Sequence, residues 1–285
     1  MKDRRNSVTV LSKDIRWVVA LKAEAKPIIG SLNLFRINAD FVYPIYKDKR
    51  EKNWLIISGV GQQKATHATK YLNKRSGAKD WSVWVNVGIA GSSFRNYGQL
   101  FLIDKITQAN SEKCFYPSSV VKTNLEKGEL LTVDEPLVDY STVDLVDMEA
   151  AEFVRVASKM SPRDLVLVLK IVSDGPKNSI ERLNASRISE LISQNISRVM
   201  GHLTKLASLA SIEKKRLKDP RGYQDVIEKW HFTVTQAHEL KKLIRRWLVI
   251  APNADVIDIL GEFKDSQQVL RYLKEYLNNF EIDWK

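Results

Sequence analysis

Short apolar runs alternating with helix-like stretches fill the first two thirds of the chain. Residues 15–21 (IRWVVAL), 54–57, 81–87, 99–106, 129–133 and 165–172 are rich in β-branched, aromatic and other apolar side chains. Such runs predict strands, and the continuous ones predict burial on both faces. The run 165–172 is interrupted only by Lys170. Residues 62–75 (QQKATHATKYLNKR) and 148–159 (MEAAEFVRVASK) instead carry good helix formers with apolar spacings of three and four. Strands alternating with helices imply an α/β domain with a mainly parallel sheet.

The pattern changes near residue 186. ISELISQNISRVMGHLTKLASLASIEKKRLK has helical spacing and no strand signal, and Asp219-Pro220-Arg221-Gly222 is a strong break. Residues 223–250 and 266–280 read as amphipathic helices, separated by a stretch at 251–261 that contains proline and glycine. The expected division is therefore an α/β domain over 1–210 and a helical extension over 211–285. Around the basic segment 241–250 (KKLIRRWLVI), Leu240, Leu243, Ile244, Trp247 and Leu248 fit one buried stripe, expected to cover the main domain with the cations outward.

Composition narrows the function. The 285 residues carry no apolar run long enough to span a bilayer and no apolar signal segment after the charged start, so a cytoplasmic protein without a membrane partner is expected. One cysteine, Cys114, rules out disulfides within the chain and a thiolate zinc site built from it alone. The net charge of +11 is spread among acidic residues, which predicts a solvated basic surface ahead of nucleic-acid binding.

In an open α/β sheet the binding crevice lies beyond the carboxyl ends of the strands. Glu24, Gly59 and Gly61, residues 88–91 and Asp174 all follow such ends. Glu24 is expected in a loop, Glu149 opens a helix, and Asp174 sits in the turn Ser173-Asp174-Gly175-Pro176. Acids also favour helix starts and turns for local reasons, so their joint placement is what marks a candidate site.

The stretches VALKAEAKPI, ISGVGQQKATHAT, VNVGIAGS, GQLFLIDKI, VDMEAAEFVRVA and VLKIVSDGP occur in one order over residues 15–176. In them the chain resembles the nucleoside phosphorylase and nucleosidase superfamily, including the methylthioadenosine/S-adenosylhomocysteine nucleosidases and the hopanoid-associated phosphorylase-like proteins. The resemblance implies a three-layer α/β/α fold with a mixed, largely parallel central sheet, no cofactor and no metal. It also implies a purine nucleoside substrate and self-association, most simply as a dimer.

The resemblance further implies roles. Asp174, oriented by Ser173, would protonate the departing purine, since cleavage of the glycosidic bond puts negative charge on the base and oxocarbenium character on the sugar. Glu149 would accept the ribose hydroxyls while Met148 packs on the sugar. Glu24 would activate water, with Gly61, Ile89 and Lys170 near the water or an anion, and with Ala90, Gly91 and Val133 at the base. A carboxylate at the nucleophile's position repels phosphate, which favours hydrolysis.

Asn86 and Ile89 stand where related phosphorylases show arginine and serine, and Lys170 stands where nucleosidases usually carry arginine. Lysine keeps the charge but loses the bidentate fork. Two other readings stay open: phosphorolysis, with phosphate held by Lys22, Lys26, Arg95 and Lys170, and a non-catalytic nucleoside sensor whose tail binds a partner. Gly59-Val60-Gly61 lacks the third glycine of a dinucleotide turn, because Lys64 takes that place. His231 and His238, seven residues apart, lack the spacing of a helical metal pair, and His67 is expected to pack.

Overall fold

Parallel pairing of apolar strands builds the centre of the molecule. The computed structural model describes residues 14–37, 41–137, 143–175 and 183–279, so Pro176 of the expected turn and the expected helix end at Phe280 lie outside the described residues. In chain order the first half runs β1 (Ile15–Val19), α1 (Lys22–Leu32), β2 (Phe35–Arg36), β3 (Ile45–Lys47), β4 (Asn53–Ile57), α2 (Gln62–Ser76), β5 (Val83–Gly91) and β6 (Leu100–Gln108). Then come β7 (Cys114–Phe115), β8 (Glu126–Thr132), β9 (Leu145–Asp147), α3 (Ala150–Ala157), a 3-10 turn at Arg163–Leu165, β10 (Val166–Asp174) and the long α4 (Ala185–Leu217).

The sheet is mixed. β1 pairs in parallel with β4 and β5, and β5 with β10. β10 turns antiparallel to β6, which runs parallel to β8, and β8 parallel to β9. β9 returns antiparallel to β5 at Gly91↔Val146. The strands β5, β10, β6, β8 and β9 thus close into a ring, while β4, β3 and β2 extend the sheet beyond β1.

Period-two alternation sorts side chains to the two faces. Ile15, Trp17 and Val19, with Leu165, Leu167, Leu169 and Ile171, pack with Ala25, Ile28 and Leu32 of α1 and with Leu191 to Leu206 of α4. Val18, Trp84, Val166, Val168 and Val172 face Ala68 and Leu72 of α2 and Phe153 and Val154 of α3. Helices on both faces give the three layers.

Glu24 does not lie in a loop, as the sequence suggested, but in the first turn of α1. Pro27 inside that helix obscures the pattern, since proline removes an N–H and frees the carbonyl four residues before it. That carbonyl, of Ala23, accepts a hydrogen bond from Ser189 Oγ at 2.7 Å, so a residue of α4 makes good the loss.

The chain divides into two compact units, residues 1–216 and 217–285. The second contains α5 (Tyr223–Lys229), α6 (Val234–Ile250), α7 (Val256–Leu260) and α8 (Ser266–Asn278). The expected helix over 223–250 is two helices, with Thr233 and Gln236 forming a reciprocal capping box at the start of α6. Leu240, Leu243, Ile244 and Trp247 are buried as expected, but their partners are Tyr223, Val226, Leu260, Val269 and Leu273 of the same unit. The stripe closes the unit's own core, where the sequence reading assigned it to cover the α/β domain. No described helix is long and apolar enough to cross a membrane.

Candidate active site

Beyond the carboxyl ends of β1, β5 and β10 lies a cavity of about 270 Å³. Its polar lining comes from Glu24, Asp147, Glu149 and Asp174. Val60, Val133, Pro136, Leu137, Val146, Met148, Leu183 and Ile188 supply most of the apolar wall. No lysine or arginine lines it among the described residues.

Glu24 is tied to the backbone at both oxygens. Oε2 accepts the N–H groups of Ala20 at 3.0 Å and Leu21 at 2.9 Å, and Oε1 accepts that of Ile89 at 3.0 Å. Burial raises its pKa against the opposing pull of Lys170 and of these three N–H donors. A carboxylate offers about four acceptor positions, so roughly one remains for a further donor. Gly88 lets this group approach, because a Cβ there would stand 2.8 Å from Glu24 Oε1.

Lys170, the interruption in the apolar run, is fully buried and pairs with Asp147, Nζ to Oδ2 at 2.7 Å. Burial disfavours its charge, but Asp147, Glu149 and Glu24 together outweigh burial and hold its pKa above the usual lysine value. Asp147 also accepts Thr132 Oγ1 at 2.7 Å and the Ala150 N–H at 2.9 Å, which fixes it at the start of α3. Glu149, the residue before α3, accepts the Gly61 N–H at 2.7 Å. Gly61 has φ +109°, a conformation that side chains resist. Burial first, and Asp147 second, push the Glu149 carboxyl up to about 7.

Asp174 ends β10 and lines the same cavity. Its Oδ1 accepts the Ser173 hydroxyl, and its carbonyl accepts the Ser92 N–H at 2.9 Å. The β5–β10 register slips between Val172 and Asp174, which brings Asp174 opposite Gly91. At the next position a Cβ would sit 2.0 Å from the Ser92 carbonyl, so Gly175 permits the close strand crossing that holds Asp174 there.

Glu24, Glu149, Met148, Asp174, Ile89, Gly91 and Val133 therefore meet at one cavity. Ala90 lies just behind, its carbonyl 3.4 Å from Ser173 Oγ. The expected anion-binding groups are otherwise engaged: the Gly61 and Ile89 N–H groups serve Glu149 and Glu24, and Lys170 serves Asp147. Arg95 pairs with Asp144 and Glu126, while Lys22 and Lys26 are exposed, so the four-cation phosphate site does not assemble. Asn86 is buried within the sheet, donating to the Val18 carbonyl at 2.9 Å.

The sequence reading missed Asp147. A signal for it existed: a lysine inside a strand buried on both faces requires a buried carboxylate, and VDME offers one. Pro136, Leu137, Leu183 and Ile188 carried no comparable signal, because apolar residues in loops and helices are ordinary.

The ring of strands and the flanking helix layers form a fold shared with solved structures of nucleosidases. The chain is similar to the 5'-methylthioadenosine nucleosidase of Arabidopsis thaliana, with a TM-score of 0.54 and 19% identity over 70% of this chain and 96% of that one. It is similar to the 5'-methylthioadenosine/S-adenosylhomocysteine nucleosidase of S. pneumoniae (TM-score 0.54, 18% identity, 68% and 99% covered). It is also similar to the futalosine hydrolase of Helicobacter pylori (TM-score 0.51, 15% identity, 69% and 98% covered). No family model and no curated protein matches the chain.

Proposed function

We propose that the chain hydrolyses the N-glycosidic bond of a purine nucleoside or a 5'-substituted thionucleoside. The observation that carries this reading is the convergence of Glu24, Glu149 and Asp174 on one largely apolar cavity. Nucleosides with that linkage are named for the structural neighbours, which supports the substrate class.

In this reading Asp174 gives a proton to the leaving base, and Ser173 fixes the orientation of that acid. Glu149 takes the ribose hydroxyls and opposes the positive charge that develops on the sugar. Glu24, with its pKa raised by burial, accepts a proton from water. Met148, Val133 and the other apolar residues of the wall hold base and sugar away from solvent. Water is favoured over phosphate because the described lining lacks a cation and two amides near the nucleophile's place are already bonded to carboxylates. Residues 1–210 suffice for this chemistry, and 211–285 serve another purpose.

The test is to incubate the protein with adenosine, inosine, methylthioadenosine and deoxyadenosine, with and without phosphate, and to chromatograph the products. Free base formed without phosphate is the expected result. Base released only with phosphate overturns hydrolysis, and release from none of the four counts against a nucleosidase. The separate core of the helical unit favours a second reading, a nucleoside sensor. Calorimetric binding without turnover, unchanged in Glu24→Gln, would select it.

A further inference from the structure

A second cleft, of about 270 Å³, lies where α4 meets residues 123–125. Arg198, Gly201, His202 and Lys205 line it from the helix, and Thr123 and Asn124 from the facing segment. Spacings of four and three place Arg198, His202 and Lys205 on one helix face. No carboxylate lines the cleft among the described residues. Among the described residues Arg198 reaches only the Asn195 side-chain oxygen, at 3.3 Å, and Lys205 only the Lys122 carbonyl, at 3.2 Å. Neither cation has an ion-pair partner among the described residues.

Two further features distinguish the cleft. His202 is 5% exposed, and its Nδ1 is buried without a hydrogen-bond partner. Buried polar atoms are normally paired, and this one belongs to a side chain that lines the cleft beside two cations without ion pairs. Gly201 lies inside a 33-residue helix, where glycine lowers stability relative to alanine. Neither backbone nor packing demands it: its φ is not positive, and a Cβ would meet nothing within 4 Å. What its missing side chain does is leave the cleft open.

We infer that this cleft binds the oxyanion group, phosphate or carboxylate, of a small molecule. Arg198 and Lys205 would supply charge-assisted hydrogen bonds to it, with the His202 side chain lining the cleft between them. Burial and Lys205 hold His202 below its usual pKa, and an anion in the cleft would raise it. The site is separate from the nucleoside cavity. Ile188 of α4 lines that cavity, and His202, fourteen residues on, lies about 21 Å further along the helix axis. The inference stands whether or not the cavity is a nucleosidase site.

The test is histidine-selective carbon-13 NMR, which resolves the four histidines of the chain. Inorganic phosphate and citrate are titrated separately at constant ionic strength. Saturable movement of the His202 ring signals with either anion, without matching movement of His67, His231 and His238, is the expected result, and the tighter anion identifies the group. Arg198→Gln with Lys205→Gln is expected to weaken binding at least about tenfold. Gly201→Leu, which fills the cleft and leaves every charge in place, is expected to do the same. Unsaturable movement with both anions, or unchanged affinity in both variants, overturns the inference.

Discussion

The Lys170 ammonium lies 2.7 Å from the Asp147 carboxylate, and both side chains are 1% exposed. One cation therefore faces three acids, since Glu24 and Glu149 also act on it. Removing it leaves buried negative charge without compensation. Lys170→Met is expected to cost about 3–5 kcal/mol of stability, whereas adding Asp147→Asn is expected to return part of that loss. Urea denaturation of the two single variants and the double variant, closed as a mutant cycle, measures the coupling.

Glu149 links the site to pH. Its folded-state pKa is raised from 4.5 to about 7, so its contribution to stability is present at acid pH and is lost as pH rises through about 7. The expected loss is roughly 3 kcal/mol over that window. Glu149→Gln keeps an oxygen for the Gly61 N–H and should flatten this part of the stability profile, as measured by denaturation at stepped pH. In the proposed reaction the ionised carboxylate holds the ribose, so kcat/KM is expected to rise with pH through about 7.

Glu24 can be tested from two directions. Glu24→Gln should lower nucleoside hydrolysis by about 10²–10⁴-fold while leaving nucleoside binding measurable by calorimetry. Gly88→Ala changes no ionisable group, but its methyl would stand 2.8 Å from Glu24 Oε1 and displace the carboxylate. A comparable loss of rate in Gly88→Ala is expected. Full activity in that variant would show that the position of Glu24 is not critical.

Gly175 supports Asp174 through the backbone. A Cβ there meets the Ser92 carbonyl at 2.0 Å, so Gly175→Ala must move one strand end. The expected cost is about 1–3 kcal/mol of stability, together with at least about a tenfold loss of turnover. Thermal unfolding and steady-state rates measured on the same preparation separate the two effects.

The central strands were legible because burial on both faces writes continuous apolar runs into residues 15–21, 54–57 and 165–172. β2, β3, β7 and β9 were not, because two- and three-residue strands carry too few positions to show a period. Pro27 hid α1, and with it the helical setting of Glu24. At the site, Asp174 and Glu149 stood out by their neighbours in sequence. Lys170 was noticed for its charge and assigned to an anion, whereas the structure commits it to Asp147. That partner is 23 residues away and comes together with Lys170 only through the closure of β5, β9 and β10. The tail's helices were visible from their spacing, but the target of their apolar stripe was not, since an amphipathic pattern states that a face is covered and not by what.

The three amides that hold Glu24 come from separate places, two from the turn into α1 and one from β5, yet they aim at one small volume beside Lys170. The carboxylate is in this sense a plug in a backbone socket. Emptied by Glu24→Gly, the socket would present three N–H groups and a helix N-terminus to whatever enters, the donors of an anion nest. The variant is expected to take up inorganic phosphate and to release base only when phosphate is present, a change readable from the appearance of ribose 1-phosphate. On that expectation one side chain separates two reaction types.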